Sequence, residues 1–269
     1  MTKERIEINK VVSHNSQVWD QYVKNQCEWS RPVSAELIEK AKNGDWEVHI
    51  TRRPLANDWL PKDIKGKNIL CLAAAGGQQA PVLAAAGANV TVFDASKKQL
   101  EQDLKVAKRD SLVLETIQGD MRDLSAFNDY SFDYIVHPIS NLYVPCLKNV
   151  WQECYRVLKK GGVLLASFYN PVLFIFERDQ SLESQSLLKP KYKLPYSDVI
   201  SLGAQADEDK LNSGEAITFG HTLSDQIGQQ ISAGFVIAGF YEDDHPSSPR
   251  FLIERYMQGM IATKAVKLE

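Results

Sequence analysis

Apolar and polar positions along the chain alternate between the period of strands and the period of helices. Ile69-Leu70-Cys71-Leu72-Ala73 is a short apolar run after the turn-like Lys65-Gly66-Lys67-Asn68, the pattern of a buried strand. Gln78 to Ala86 is rich in alanine and leucine and predicts a helix. Pro81 is tolerated in its first turn, and Gly87 stands where a C-terminal cap would stop it. Asn89 to Asp94 is a second, β-branched strand, and Ser96 is placed to cap a helix over Lys97 to Lys108. Further strands are predicted over Leu112 to Ile117, Phe132 to Val136 and Val163 to Phe168. A helix from Val150 to Leu158 and a turn at Lys159-Lys160-Gly161-Gly162 separate the last two. The C-terminal part predicts a helix from Leu223 to Ala233 and strands from Phe235 to Tyr241 and Met260 to Lys267.

Strand-helix alternation predicts an α/β domain with a parallel sheet and helices on both faces. Right-handed crossovers put the strand carboxyl ends on one edge, where such sheets bind ligands. Four stretches follow. Residues 1–63 form an aromatic-containing N-terminal helical segment or lid, expected outside the core. Residues 64–169 carry the ligand-binding half. Residues 170–221, rich in Ser, Lys, Pro and Tyr, break the rhythm and read as an inserted substrate cap; residues 222–269 complete the domain.

Bulk properties narrow the function. The net charge of -3 argues against a dedicated nucleic-acid binder, which carries a clear basic excess. The start, Met1-Thr2-Lys3-Glu4-Arg5-Ile6-Glu7, is charged where a signal peptide needs an apolar core. No apolar run reaches the roughly 18–20 residues of a membrane span. The four cysteines (Cys27, Cys71, Cys146 and Cys154) contain no C-x-x-C pair, which favours a reduced, cytoplasmic setting and gives no zinc site.

The candidate chemistry gathers at the first strand-turn-helix. Leu72-Ala73-Ala74-Ala75-Gly76-Gly77-Gln78 consists mostly of residues with little side chain, which lets a ligand approach the backbone beside a helix N-terminus. Asp94 ends the next strand about 20 residues on, the position from which a carboxylate reaches ribose hydroxyls. A dinucleotide turn requires a small residue where this chain has the bulky Gln78, and no G-x-x-x-x-G-K-[ST] is present.

These segments resemble the class I S-adenosylmethionine-dependent methyltransferases. Ile69 to Gly77 is similar to the family's V-L-D-L-G-C-G-x-G, and Val90 to Ser96 to its V-x-G-x-D-x-S. Gly119-Asp120-Met121-Arg122-Asp123-Leu124 is similar to G-D-x-x-D-L, Phe132 to Val136 to F-D-x-V, and Arg156 to Gly162 to R-V-L-K-P-G-G. The resemblance implies a Rossmann-like, doubly wound seven-stranded sheet, mostly parallel with an antiparallel last strand. It also implies S-adenosylmethionine as cofactor and in-line methyl transfer. The chain departs from the pattern in two ways. Cys71 replaces the usual acid, and Ala73 and Ala75 replace two glycines, a change expected to be tolerated if φ is negative there. The Gln78-Gln79 pair or the N-terminal segment is a candidate replacement for the missing acid.

By resemblance, Ala73, Ala74, Ala75, Gly76, Gly77 and Gln78 face the amino-acid portion of the cofactor. Asp94 binds the ribose, with Ala95, Ser96 and Gln99 near the adenosine edge. Asp120 accepts from the adenine amino group and Met121 packs on the ring. His137 lines the pocket and is the candidate general base, since an imidazole titrates near neutral pH. His14, Trp19, Asn141 and Tyr143 are candidate substrate contacts, and Tyr169, Tyr192, Tyr196 and His221 are weaker ones. The acceptor is expected to be a small molecule. A nucleic-acid or protein methyltransferase, for which Lys189 to Lys193 is the sole basic hint, and a non-catalytic cofactor-binding protein are the alternatives.

Overall fold

The structure, a computed structural model, describes residues 8–56, 58–177, 179–202, 210, 212–244 and 251–268. The charged start Met1 to Glu7 and part of the insertion lie outside the described residues. Two helices come first, α1 (Ile8–Lys24) and α2 (Ala35–Lys42). Then β1 (Asn68–Leu72), α3 (Gln79–Ala85), β2 (Asn89–Asp94), α4 (Lys97–Asp110), β3 (Glu115–Gln118), β4 (Phe132–His137), α5 (Lys148–Val157) and β5 (Leu158–Tyr169) follow. A two-stranded pair, β6 (Tyr196–Ser197) and β7 (Phe219–Gly220), precedes β8 (Phe235–Asp243) and β9 (Met260–Lys267).

Seven strands form one sheet in the order β3-β2-β1-β4-β5-β9-β8. Strands β1 to β5 are parallel, and β9 runs antiparallel between β5 and β8, giving the expected doubly wound architecture. Winding reverses between β1 and β4, which opens a crevice at their carboxyl ends. Period-two alternation sends Ile69 and Cys71 into one core layer with Leu83 and Val106 of α3 and α4. Leu70 and Leu72 go into the other, with Trp151 and Cys154 of α5.

Three local expectations shift. Strand β3 starts at Glu115 rather than Leu112, because Leu112 N–H closes the end of α4 on Ala107 O at 2.9 Å and Val113 is exposed. The Lys159–Gly162 turn lies inside β5, as a register irregularity with Gly161 at φ 74°. The helix over 223–233 begins as a π turn, Ser224–Gly228, before the α-helical Gln229–Ala233.

The N-terminal segment is not outside the core. Ile38, Trp46, Val48, Ile50, Trp59 and Ile64 are buried in the same layer as Ile69, Leu165 and Ala262. Here residues 46–64 cover the β5-β9-β8 part of the sheet: Trp59 packs on Tyr241 at 4.9 Å, and Ser167 Oγ of β5 donates to Ile50 O. Residues 215–221 of the insertion run between α1 and the β4–α5 connection. Asn15 exchanges hydrogen bonds with Ile217 (3.0 and 2.8 Å), and His221 Nε2 donates to Val144 O at 2.9 Å. Among the described residues, no helix is long and apolar enough to cross a membrane.

Candidate active site

A cavity of about 460 Å³ opens at the carboxyl ends of β1 to β4, within the roughly 300–1,000 Å³ usual for small-molecule sites. Its floor comes from the connections after those strands, and its roof from α1 and from stretches around residues 28–33 and 47–52.

The turn after β1 is held in an unexpected conformation. Ala73 and Ala75 both have positive φ, 47° and 63°, and Gly77 has 75°, so the condition of negative φ for the alanines is not met. An alanine in this left-handed region costs about 1–2 kcal/mol. Bonds to the neighbouring elements offset it. Ala73 N–H donates to Phe93 O at 2.8 Å, Gly76 N–H to Gln99 Oε1 at 2.7 Å, and Gly77 N–H to Asp103 Oδ1 at 2.8 Å. Gln99 and Asp103 lie one turn apart on α4 and reach the same loop. Asp103, which sequence reasoning missed, is 1% exposed. Burial pushes its carboxyl well above the carboxylate range, although the Gly77 N–H bond opposes this and the Asp94 charge adds to it. Beneath the turn, Cys71 is fully buried and its thiol is pushed far up by burial, so it carries no charge.

At the end of β2, Asp94 lines the cavity with one carboxylate oxygen accepting Ser96 N–H at 2.7 Å. Burial raises its pKa to about 7; the Ser96 bond lowers it and the nearby Asp20 carboxylate raises it further. Ser96 caps α4, accepting Gln99 N–H at 3.2 Å and donating to Asp20 Oδ1 at 2.7 Å, which ties α1 to the start of α4. After β3, Asp120 lines the cavity beside Met121 and is gripped by Arg122, with Nε at 2.9 Å and Nη2 at 2.5 Å.

The structure does not bring His137 to the cavity. The ring is fully buried at the end of β4, Nδ1 donates to Leu72 O at 2.9 Å, and Nε2 lies 2.7 Å from Asn141 Oδ1. Burial holds its pKa below the ordinary histidine value, against the two hydrogen bonds. Asn141 is likewise buried and continues to Gln226 at 2.9 Å. Both therefore anchor the β4 end, which corrects the expectation of a base at His137 and of a substrate contact at Asn141. The next residues, Pro138, Ile139 and Ser140, do line the cavity.

Of the other expected residues, Ala73, Ala74, Ala75, Gln78, Ala95, Ser96, Gln99, Trp19, Tyr143 and Tyr169 line the cavity. Gly76, Gly77 and His14 do not; His14 Nε2 instead donates to Glu215 O at 2.9 Å. Tyr192 and Tyr196 pack on each other at 5.1 Å. Trp19 meets Tyr143 edge-on at 5.4 Å. Sequence reasoning missed the charged residues of the roof, Glu28, Arg31, Glu47, His49 and Arg52, whose spacing along an irregular segment carries no motif. In the basic run Lys189 to Lys193, Glu177 pairs with Lys189 at 2.8 Å and Lys191 at 2.5 Å.

A doubly wound sheet with a roofed cavity at its switch point and a carboxylate at the β2 end defines an α/β protein that binds a nucleoside-containing cofactor. Residues 70–166 match the family model described as a methyltransferase domain. The chain is 47% identical over 262 residues to the uncharacterized methyltransferase YbaJ of Bacillus subtilis, spanning 97% of this chain and 100% of that one. It is 29% identical over 138 residues to the ubiquinone biosynthesis O-methyltransferase of Actinobacillus pleuropneumoniae, covering 49% of this chain and 59% of that one. In fold it is similar to an S-adenosylmethionine-dependent methyltransferase from Mesorhizobium loti, with a TM-score of 0.59 at 17% identity over 78% of this chain and 94% of that one. The chain belongs to the S-adenosylmethionine-dependent methyltransferase family, and S-adenosylmethionine is its cofactor. The cavity fits such a molecule: a carboxylate at the β2 end, a carboxylate and a methionine after β3, and small residues after β1 line one common cavity.

Proposed function

We propose that the protein methylates a small-molecule acceptor that enters the cavity between Tyr143, Ile139, Tyr169 and the roof stretch 47–52. The observation that carries this reading is that residues suited to the cofactor and candidate acceptor contacts share one roofed cavity with aromatic walls. A site for a nucleic acid would instead need an open, cation-rimmed groove.

In this reading Asp94 accepts from the ribose hydroxyls, Asp120 from the adenine amino group, and Met121 packs on the base. The loop after β1 holds the amino-acid end, and α1 with the stretches around residues 28–33 and 47–52 acts as the lid; among the described residues none of 170–221 lines the cavity, so no cap role is given to them. When bound, the cofactor supplies a methyl group already activated on a sulfonium. The chain then has to orient the acceptor and exclude water, which the Trp19–Tyr143 contact and the roof over the turn serve. A titrating base is needed only for acceptors that lose a proton during attack, and His137 is assigned to positioning the β4 end instead. Four cysteines without disulfides support a cytoplasmic setting.

The test is incubation of the purified protein with methyl-labelled S-adenosylmethionine and a fractionated cell extract. Label appearing in a low-molecular-weight product that separates chromatographically from S-adenosylmethionine, and that does not form when the protein is left out, is the expected result. Label confined to RNA or protein would overturn the small-molecule reading.

A further inference from the structure

The family's usual acid near the amino-acid end of the cofactor is Cys71 in this chain. It lies fully buried below the turn and carries no charge. Asp103 does not substitute for it: one of its oxygens is bound to Gly77 N–H, the other is sealed without a partner, and the residue does not line the cavity. Nor do Gln78 and Gln79, which are neutral and already engaged. Gln78 Nε2 donates to Glu28 O (3.1 Å) and Arg31 O (3.2 Å), and Gln79 Oε1 accepts His49 N–H (2.8 Å). These bonds, with Val33 N–H to Gly77 O at 2.8 Å, pin two irregular stretches of the N-terminal segment directly over the turn.

Among the described residues, the acidic side chains lining the cavity are Glu28, Glu47, Asp94 and Asp120. Asp94 ends β2 and Asp120 follows β3, and the reading above already gives both to the adenosine part of the cofactor. Glu47 faces His49 at 3.3 Å. Glu28 is carried on the residue that Gln78 grips, and its carboxylate pairs with Arg52 Nη1 at 3.2 Å. Arg52 in turn lies over the Trp29 ring at 4.2 Å, and its backbone N–H donates to Asp243 Oδ2 at 3.0 Å, which fixes the base of the side chain. A carboxylate and a guanidinium thus stand side by side, oriented, on one wall of the cavity over the turn.

We propose that Glu28 and Arg52 form a zwitterion clamp for the amino-acid end of the cofactor, a reading that rests on the cofactor placement proposed above. The Glu28 carboxylate accepts from the α-ammonium and the Arg52 guanidinium donates to the α-carboxylate. The four charges then alternate in sign, so the existing ion pair is extended rather than broken. Guanidinium geometry suits a carboxylate. The function that a strand-end acid performs from below is thereby supplied from above, by a segment that must be seated for the site to be complete.

The test compares two ligands that differ only in this end. S-adenosylhomocysteine has the ammonium and carboxylate; 5′-methylthioadenosine has neither. Calorimetric titration of the full chain with both is made for wild type, Glu28→Gln, Arg52→Gln and the control Glu47→Gln. Each clamp variant is expected to lose about 10- to 100-fold in affinity for S-adenosylhomocysteine and less than about threefold for 5′-methylthioadenosine, as loss of a charged hydrogen bond implies. Glu47→Gln, on the same roof, tests the rival acid, and any loss it causes is expected to be the same for the two ligands. Arg52→Lys, which keeps the charge, covers the case in which Arg52→Gln does not fold, and is expected to lose less. Equal losses for both ligands, no loss, or the selective loss appearing in Glu47→Gln would each overturn the clamp while leaving the cofactor placement standing. A folded wild type that binds neither ligand would overturn that placement and the clamp with it.

Discussion

The Asp94 carboxyl offers the most direct probe of the assigned cofactor placement. Without ligand its pKa stands at about 7, chiefly because it is buried, with Ser96 N–H opposing and Asp20 reinforcing the shift. Ribose hydroxyls donate to a carboxylate and therefore favour its ionised form. Binding then draws Asp94 into ionisation, and affinity has to fall as pH drops below 7. With a ligand-free pKa of 7, about one molecule in ten is ionised at pH 6, so the Kd weakens about tenfold from its plateau and about a further tenfold by pH 5. Binding at pH 6 also releases about 0.9 proton, against about 0.1 at pH 8. The assay is calorimetric titration with S-adenosylhomocysteine from pH 5 to 8.5 in two buffers of different ionisation enthalpy, beside Asp94→Asn. The variant cannot ionise there, so the difference between the two profiles removes titration of the ligand itself. A wild-type profile parallel to that of Asp94→Asn would refute the reasoning. The same displacement acts on stability with the opposite ligand dependence. The folded pKa exceeds the unfolded value near 4, so the folded state holds a proton that the unfolded chain releases. Stability of the ligand-free protein therefore declines as pH rises from about 4 to about 7, and Asp94→Asn flattens that decline.

Three further substitutions test the framework. In Gly76→Ala the new Cβ would stand 2.3 Å from Gln99 O, a backbone atom of α4; thermal melting should show a loss of about 2 kcal/mol or more, and titration a weakened cofactor. Lys267→Met removes the ammonium of a buried lysine that donates to Tyr155 O and Leu158 O at 2.7 and 2.8 Å and lies 4.1 Å from the Tyr130 ring centroid; urea denaturation should report a loss of about 2–3 kcal/mol with an unchanged slope. Asn141→Ala strands His137 Nε2 and the Gln226 amide in the interior, and is expected to lower the denaturation midpoint by the equivalent of about 2 kcal/mol; an unchanged midpoint would remove the anchoring role given to His137.

What was legible in the sequence was whatever a single period or a single turn encodes. The apolar run at Ile69–Leu72, the Ser96 cap and the Asp94 strand end announce themselves locally, and the structure has β1, α4 and β2 at those places. His137 shows the limit. Its position after β4 was readable, but the side-chain direction was not. Whether a ring at a strand end faces a cavity or the interior depends on Leu72 O and Asn141, 65 and 4 residues away. The roof was illegible for a related reason. Glu28 opens a single 3-10 turn and Arg31 and Arg52 lie on irregular backbone, where no repeat marks a buried or functional face, and long-range contacts such as those to Gln78, Trp29 and Asp243 hold them over the turn.

The altered turn and the N-terminal segment are best understood together. Glycines at 73 and 75 would take the left-handed conformation at no steric cost. Alanines take it only because neighbouring elements fix the loop, and those same elements hold the roof. Gln99 accepts Gly76 N–H and donates to Ser30 Oγ at 2.9 Å, and Gln102 donates to Ser30 O at 2.9 Å. Gly77 N–H is held by Asp103 while Gly77 O accepts Val33 N–H. The contacts at Gly76 and Gly77 therefore lead, within one residue, to the stretch that carries Glu28, the partner of Arg52. Loosening of that segment removes partners from the loop, and relaxation of the loop unseats the segment. In such an arrangement the 28–33 stretch and the loop after β1 are expected to open together, with a common free energy in hydrogen exchange of their amides.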